Sequence, residues 1–132
     1  LVRNSLGHGI EEKERRLKEG KNVVGAIRVT LSQFGKSNFI RIVDDGKGLD
    51  PSLIAKKAIE KGVTSEEVCK TLSSKEKIMF IFHPRFSTND DASGLSGGGV
   101  GMDVVKTNIE KLNGSINVES TIGQGTEFII KL

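Results

Sequence analysis

The string Asp44-Asp45-Gly46-Lys47-Gly48 follows a β-rich segment and places carboxylates beside glycines. Gly46 and Gly48 let the backbone approach a flat ligand closely, because no Cβ atom intervenes. A carboxylate such as that of Asp44 can accept a hydrogen bond from an exocyclic amine, such as the amine of adenine. A tight turn stabilised by aspartate is the alternative interpretation, since Asp-Gly is a common turn dipeptide.

A second glycine cluster, Gly97-Gly98-Gly99-Val100-Gly101, leads directly into a predicted helix. The N–H groups at a helix start, together with the helix dipole, make an anion site that a phosphate chain can approach. The cluster matches neither the P-loop pattern nor the dinucleotide fingerprint. A flexible hinge is the alternative interpretation.

Asn4 and His8 form a third feature, because their i,i+4 spacing places them on one face of a predicted helix. An amide oxygen and an imidazole on one face can serve a hydrated Mg²⁺ ion and a phosphate. A polar pair that only satisfies its own hydrogen bonds is the alternative.

The composition is that of an ordinary soluble domain whose mild positive charge fits an anionic ligand. The chain has 132 residues, 36% of them apolar and 28% charged, and a formal net charge of +3 from 20 basic and 17 acidic residues. This mild excess suits a nucleotide and does not require nucleic acid, and the six aromatic residues are all Phe, which argues against a stacking platform for single strands.

The single cysteine, Cys69, excludes an internal disulfide and favours a cytoplasmic location. No apolar run reaches the roughly 20 residues of a membrane span, so we expect no direct insertion into a membrane. Because Leu1 already lies in a predicted helix, we expect an N-terminally truncated fragment of a larger protein, with one domain over residues 1–132.

Hydrophobic spacing and turn residues predict the elements that must position these clusters. A helix end at residues 1–8 precedes a charged helix at 11–21, whose surface we expect to be solvated. Strands at 26–34 and 39–43 form a hairpin, helices follow at 51–62, 65–72 and 75–82, and a long loop covers 83–99. A helix at 100–112 and strands at 115–121 and 126–132 complete the chain. Strands in sequential pairs with helices between them predict an α+β fold, a two-layer α/β sandwich.

The three clusters, in this order, resemble the N box and glycine boxes of the GHKL ATPase superfamily, and within it the chemotaxis-type histidine kinases. The resemblance covers essentially the whole chain and rests on six strings: Leu1-Val2-Arg3-Asn4-Ser5, His8-Gly9-Ile10-Glu11, Asp44-Asp45-Gly46-Lys47-Gly48-Leu49-Asp50, Ile81-Phe82-His83-Pro84-Arg85-Phe86-Ser87-Thr88, Gly99-Val100-Gly101-Met102-Asp103-Val104-Val105 and Gly123-Gln124-Gly125-Thr126. It implies a mixed sheet with helices on one face.

The resemblance also implies a role for individual residues in binding ATP and Mg²⁺. Asn4 resembles the asparagine that holds Mg²⁺ against the phosphates, with His8 as a second catalytic, phosphate-side contact. Asp44 resembles the carboxylate that reads the adenine amine, and Thr126 resembles a hydroxyl beside it. Gly46 and Gly48 resemble the glycines that lie against the base. Phe86, Ser87 and Thr88 resemble part of the ATP lid. The last matches are residues that contact the phosphates or line the base: Gly99, Val100, Gly101 and Met102.

The implied reaction is transfer of the γ-phosphoryl group of ATP to a histidine on a separate histidine phosphotransfer domain. The implied partners are that domain, a response regulator and a chemoreceptor complex with its coupling protein, and we expect the parent protein to be a homodimer through a segment outside this chain. No nucleic acid is expected.

Two positions depart from the pattern. Gly7 stands where the family usually has Asp, and Gly98 stands where it usually has Arg, a strong bidentate phosphate donor. A degenerate nucleotide-binding scaffold is therefore one alternative. A hydrolytic GHKL ATPase is the other, and the residue that decides it lies four positions before Asn4.

Overall fold

The computed structural model describes residues 10–22, 24–86 and 101–132. The chain divides into two compact units, one formed by residues 1–49 with 114–132 and the other by residues 50–113. No helix among the described residues is long and apolar enough to cross a membrane.

The first unit contains a helix and a four-stranded antiparallel sheet. Its elements are α1 (Lys13–Lys18), β1 (Ile27–Phe34), β2 (Ser37–Asp44), β3 (Ser115–Thr121) and β4 (Gly125–Lys131). The strands lie in the order β1-β2-β4-β3, so the two hairpins join through β2 and β4. Strand β1 lies at one edge and is largely exposed.

The register of the sheet aligns apolar side chains in rows across β2, β4 and β3. Ile42 lies opposite Phe128, which lies opposite Val118, and all three are buried. Because side chains alternate between faces, the residues two positions away continue the same face. Ile130 and Ile116 form the adjacent buried row in one direction.

Both hairpins turn on glycine. Gly35 and Lys36 form a two-residue turn between β1 and β2, with Gly35 at a φ of +61°, and Gly123 lies at +81° in the turn between β3 and β4. A positive φ is costly for residues that carry a Cβ atom, which explains glycine at these two positions.

The second unit is helical. Its elements are α2 (Pro51–Glu60), α3 (Glu66–Cys69), α4 (Ser74–Ile78), a 3₁₀ helix (Met79–Phe82) and α5 (Met102–Lys111). Helix α2 contacts α4 and the 3₁₀ helix, and the 3₁₀ helix contacts α5. The apolar core of this unit consists of Ile54, Ala55, Ala58, Cys69, Ile78, Ile81, Phe82, Phe86, Met102 and Ile109.

Side-chain caps fix the starts of the first three helices of this unit. Asp50 accepts hydrogen bonds from the N–H groups of Ser52 and Leu53, with Pro51 at the first helical position. Ser65 caps α3, and Ser73 caps α4 through a reciprocal capping box with Glu76. The sequence predicted the Asp50-Pro51 start.

The α+β class is confirmed, whereas two details differ from the expectation. All three pairings among the described strands are antiparallel, so this part of the sheet is not mixed. The charged helix is shorter than predicted, and its surface is not wholly solvated, since Arg16 is fully buried. The predicted helix end at residues 1–8 and residues 87–99 of the predicted loop lie outside the described residues, and a single domain remains a prediction.

Candidate nucleotide site

A polar row crosses three strands at the end of the buried face of the sheet. Asp44 of β2 lies opposite Thr126 of β4, which in turn lies opposite Ser120 of β3. These residues are two positions beyond Ile42, Phe128 and Val118, so their side chains share the apolar face. Asp44 and Thr126 are only 5% and 8% exposed.

Ser120 organises this row, and the sequence reasoning missed it. Its Oγ lies 2.9 Å from Thr126 Oγ1, donates to the carbonyl oxygen of Gly125 at 2.9 Å and accepts the N–H of Leu49 at 2.8 Å. A hydroxyl has one hydrogen, so with that hydrogen on Gly125 the Thr126 hydroxyl donates to Ser120. A serine within a strand carries no local signal of such a role, which depends on cross-strand pairing.

The Asp44 carboxylate closes a turn at the start of the glycine loop, which we define as residues 44–48. Its Oδ1 accepts the N–H of Gly46 at 2.9 Å. This contact is the aspartate-stabilised turn that was the alternative reading of Asp-Gly, and it places a buried acceptor beside a hydroxyl. The turn and an amine-reading role are therefore compatible.

Gly48 and Gly125 are required by the protein backbone itself. Gly48 has a φ of +76°, and a Cβ atom there would lie 2.3 Å from the carbonyl oxygen of Thr121. Gly125 has a φ of +133°, and a Cβ atom there would lie 1.9 Å from the carbonyl oxygen of Asp44. The glycine loop and the β3–β4 turn thus pack backbone to backbone, which is reinforced by the bond from Gly123 N–H to the Lys47 carbonyl at 2.7 Å.

A partly buried ion cluster contacts the glycine loop: the Asp45 side chain is 41% exposed, whereas those of Arg16 and Glu11 are buried. We define it as Glu11, Arg16, Lys21 and Asp45. Arg16 donates from Nη1 to Glu11 at 3.0 Å and from Nη2 to Asp45 at 2.7 Å, and Lys21 also pairs with Glu11. The side chains of Arg16 and Glu11 are 1% and 0% exposed.

The cluster lowers the pKa of both carboxyl groups. Burial alone would raise the pKa of Glu11, but hydrogen bonds, first that from Lys21, lower it to about 2. Burial likewise opposes ionisation of Asp45, but the hydrogen bond from Arg16, followed by that from the Ala26 N–H, holds the Asp45 pKa below its ordinary value. The hydrogen bond to Asp45 raises the pKa of Arg16. Glu11, Asp45 and Arg16 are therefore charged at neutral pH.

Gly101 and Met102 lie in the second unit, at the start of helix α5. Gly101 is the N-cap residue, without a side-chain cap, and Met102 is buried. The amino end of a ten-residue helix carries a positive partial charge, as the phosphate-binding prediction requires.

Six predicted site residues lie outside the described residues: Asn4, His8, Ser87, Thr88, Gly99 and Val100. The predicted metal ligand, Asn4, is among them. Within residues 10–22, 24–86 and 101–132, no three His, Cys, Asp or Glu side chains are grouped so as to hold a metal ion.

The profile of one ATPase family matches the chain over residues 1–132, and that family is described as histidine kinase-, DNA gyrase B-, and HSP90-like ATPase. The chain belongs to this family. The polar row with Asp44 and Thr126, and the glycine loop beside it, therefore belong to a member of an ATPase family.

Individual relatives carry more specific names. The chain is 49% identical over 132 residues to the sensor histidine kinase CheAY of Helicobacter pylori, and 46% identical over 132 residues to the chemotaxis protein CheA of Bacillus subtilis. It is 51% identical over 131 residues to CheA of Borreliella burgdorferi. These matches cover 99–100% of the chain but only 16%, 20% and 15% of the respective relatives.

Among solved structures, the nucleotide-free catalytic domain of the histidine kinase ThkA matches with a TM-score of 0.47 and 21% identity. The match covers 93% of this chain and 69% of that one.

We expect Gly48→Ala to destabilise the protein more than Gly123→Ala. Both residues have a positive φ, but a Cβ atom at Gly123 meets nothing within 4 Å, whereas one at Gly48 meets the Thr121 backbone. The free energy of unfolding should fall by about 1–2 kcal/mol for Gly123→Ala and by about 1–3 kcal/mol more for Gly48→Ala. Urea unfolding measures both values, and equal losses would contradict the backbone contact.

The depressed pKa of Glu11 predicts a loss of stability in acid. Its stabilising contribution is complete above the ordinary pKa of 4.5 and is lost as the pH falls from there towards the folded-state value of about 2. Glu11→Gln should lower the urea midpoint at pH 7 and reduce its dependence on pH below 4.5. Glu14→Gln, an exposed change three positions along the chain in α1, is the control for loss of one carboxylate, and identical pH profiles for Glu11→Gln and the wild type would refute the assignment.

Proposed function

We propose that this chain binds Mg·ATP and transfers the γ-phosphoryl group to a histidine on a separate phosphotransfer domain, as the catalytic domain of a chemotaxis-type histidine kinase. The observation that carries the proposal is the buried polar row of Asp44, Thr126 and Ser120, in a chain that belongs to an ATPase family. Matches of 46–51% identity over 131 or 132 residues to proteins named CheA or CheAY support the chemotaxis assignment.

The polar row fits the adenine end of a nucleotide. A buried carboxylate accepts an amine hydrogen at a site where water competes little, and this strengthens the hydrogen bond. A base that offers a carbonyl oxygen at that position, as guanine does, would instead face an acceptor. We infer that Asp44 selects adenine and that Thr126, oriented by Ser120, contributes a second polar atom beside it.

The phosphate end is assigned by the resemblance. Gly99, Val100, Gly101 and Met102 would meet the phosphates or line the base, and Ser87 and Thr88 would belong to the lid. Asn4 would hold Mg²⁺, with His8 beside the phosphates. Bound there, Mg²⁺ neutralises charge on the phosphates, while the protein's own task is to hold them in line with the acceptor histidine.

The proposed partners are those that the resemblance to chemotaxis-type histidine kinases implies. A histidine phosphotransfer domain would supply the acceptor, a response regulator would receive the phosphoryl group, and a chemoreceptor complex with its coupling protein would control the reaction. We place the activity in the cytoplasm, where ATP and a response regulator meet. The chain spans 15–20% of the length of the relatives quoted above, so segments of the parent protein would carry the other tasks.

We expect the chain to bind ATP and ADP without labelling itself, and to label a supplied phosphotransfer domain from radiolabelled ATP. The reason is that neither histidine is assigned as an acceptor, since His8 belongs to the proposed nucleotide site and His83 lies beside Pro84 in the segment that the resemblance assigns to the ATP lid. Strong self-labelling would contradict this assignment. Release of free phosphate without labelled histidine would indicate a hydrolytic ATPase, and nucleotide binding without either reaction a degenerate scaffold.

Comparing Asp44→Asn with Asn4→Asp tests which end of the nucleotide each residue meets. Asn would lose the charge of Asp44 and leave one hydrogen bond unmade, so ATP and ADP should bind more weakly by about 1–3 kcal/mol, with or without Mg²⁺. The preference for ATP over GTP should shrink as well.

Asn4→Asp adds a negative charge near the phosphates while keeping an oxygen for the metal. Its effect should therefore depend on Mg²⁺ and reduce the transfer rate more than binding. Calorimetric titration and the transfer assay measure these effects, and normal ATP affinity in Asp44→Asn with an altered Mg²⁺ requirement would show that the two ends are reversed.

A further inference from the structure

Two basic side chains donate hydrogen bonds to backbone carbonyl oxygens of the glycine loop. Lys21 Nζ donates to the carbonyl oxygens of Asp45 and Gly46 at 2.9 and 2.8 Å. Arg16 donates from Nη1 to the Asp45 carbonyl at 3.3 Å and from Nη2 to the Asp45 carboxylate at 2.7 Å. Both cations thus contact the loop that begins with Asp44.

The Arg16 guanidinium joins three separate parts of the first unit. Besides Asp45 it reaches Glu11, and its Nε donates to the carbonyl oxygen of Asn22 at 2.7 Å. All three nitrogens are used, in the planar fork that only arginine offers. Lys21 adds a bond to the second oxygen of Glu11 and lies 3.7 Å from Glu19.

Stability alone is a poor reason for this arrangement. Taking charges out of water is costly, and buried ion pairs can often be replaced by apolar groups without loss of stability. A cluster of this kind fixes the geometry of its members, because the N–H groups of both cations are directed at specific acceptor oxygens. The geometry fixed here is that of Asp45 and Gly46.

A short chain of bonds leads from the cluster to Asp44. Asp45 is clamped to Ala26, because its N–H donates to the Ala26 carbonyl at 3.2 Å and its Oδ1 accepts the Ala26 N–H at 2.8 Å. Gly46 is held on both sides, its carbonyl by Lys21 and its N–H by the Asp44 carboxylate at 2.9 Å. The Gly46 N–H therefore contributes to the orientation of the Asp44 carboxylate.

We propose that Arg16 and Lys21 are positioning residues for base recognition, which act through Asp45 and Gly46 to aim the Asp44 carboxylate. This inference rests on the proposed function, because it assumes that Asp44 reads the adenine amine. Neither cation touches the nucleotide in this scheme. Their loss should therefore appear as a change in base preference, which a purely structural role would not cause.

The primary test is Lys21→Met in the full chain, with dissociation constants for ATP, ADP and GTP measured by calorimetry and the melting temperature measured without nucleotide. One misdirected hydrogen bond of about 1.4 kcal/mol corresponds to tenfold in affinity. ATP and ADP should bind about tenfold more weakly, GTP should change little, and the preference for ATP should fall accordingly. Lys21→Arg retains a donor and should restore part of the preference.

Arg16→Lys is the second variant, because it keeps the positive charge and removes the fork. It should reduce the ATP preference in the same direction, and it decides the matter if Lys21→Met does not fold. Arg41→Met is the matched control, since Arg41 also pairs with a carboxylate, that of Glu127, but lies three positions before Asp44 on β2, on the other face of the sheet. Its base preference should equal that of the wild type.

Two results overturn different statements. If Lys21→Met and Arg16→Lys lower the melting temperature but keep the wild-type ratio of ATP to GTP affinity, the cluster is only structural and the positioning role is wrong. If the wild type itself does not bind ATP, the proposed function fails before any variant is compared.

Discussion

The pairing of β2 with β4 is the constraint on which the candidate site depends. It sets Asp44 opposite Thr126 and, through β3, brings Ser120 into the same row. A shift of β2 by one residue in this register would move the Asp44 side chain to the face opposite Thr126 and Ser120. The apolar rows that begin at Ile42 and Phe128 oppose such a shift, because it would also expose them. The same strand register thus both buries the apolar side chains and places the polar row.

The buried carboxylate at the end of this row also requires nearby positive charge. Asp44 is buried beside Asp45, and two neighbouring acidic side chains in one loop would repel each other if nothing compensated them. Arg16 and Lys21 provide that compensation from behind the loop, and they also take up its carbonyl oxygens. The charged segment 11–21, which contains helix α1, therefore also supports the loop.

Glycine has two distinct uses in this chain. At Gly35 and Gly123 it allows a positive φ in an open turn, whereas at Gly48 and Gly125 it also allows two backbone segments to touch. The second use joins the glycine loop to the β3–β4 turn, far apart in sequence. The family resemblance explains Gly48 by the approach of a base, and the contact with Thr121 gives Gly48 a reason to be glycine within the protein itself.

The sequence by itself determined the α+β class, the Asp50-Pro51 helix start, both hairpins and the identity of Asp44 and Thr126 as candidate residues. These features have local causes, since side-chain alternation, capping residues and turn glycines act over a few positions, and the strings around Asp44 and Thr126 carry the family resemblance. Only the tertiary structure decided that Ser120 joins the row, that Gly48 meets Thr121, and that Arg16 pairs with Glu11 and Asp45 inside the fold. Arg16 looked like a solvated helical residue because its partner Asp45 lies 29 positions along the chain. Contacts of that kind depend on how the strands and the helix come together, and no short stretch of sequence contains that information.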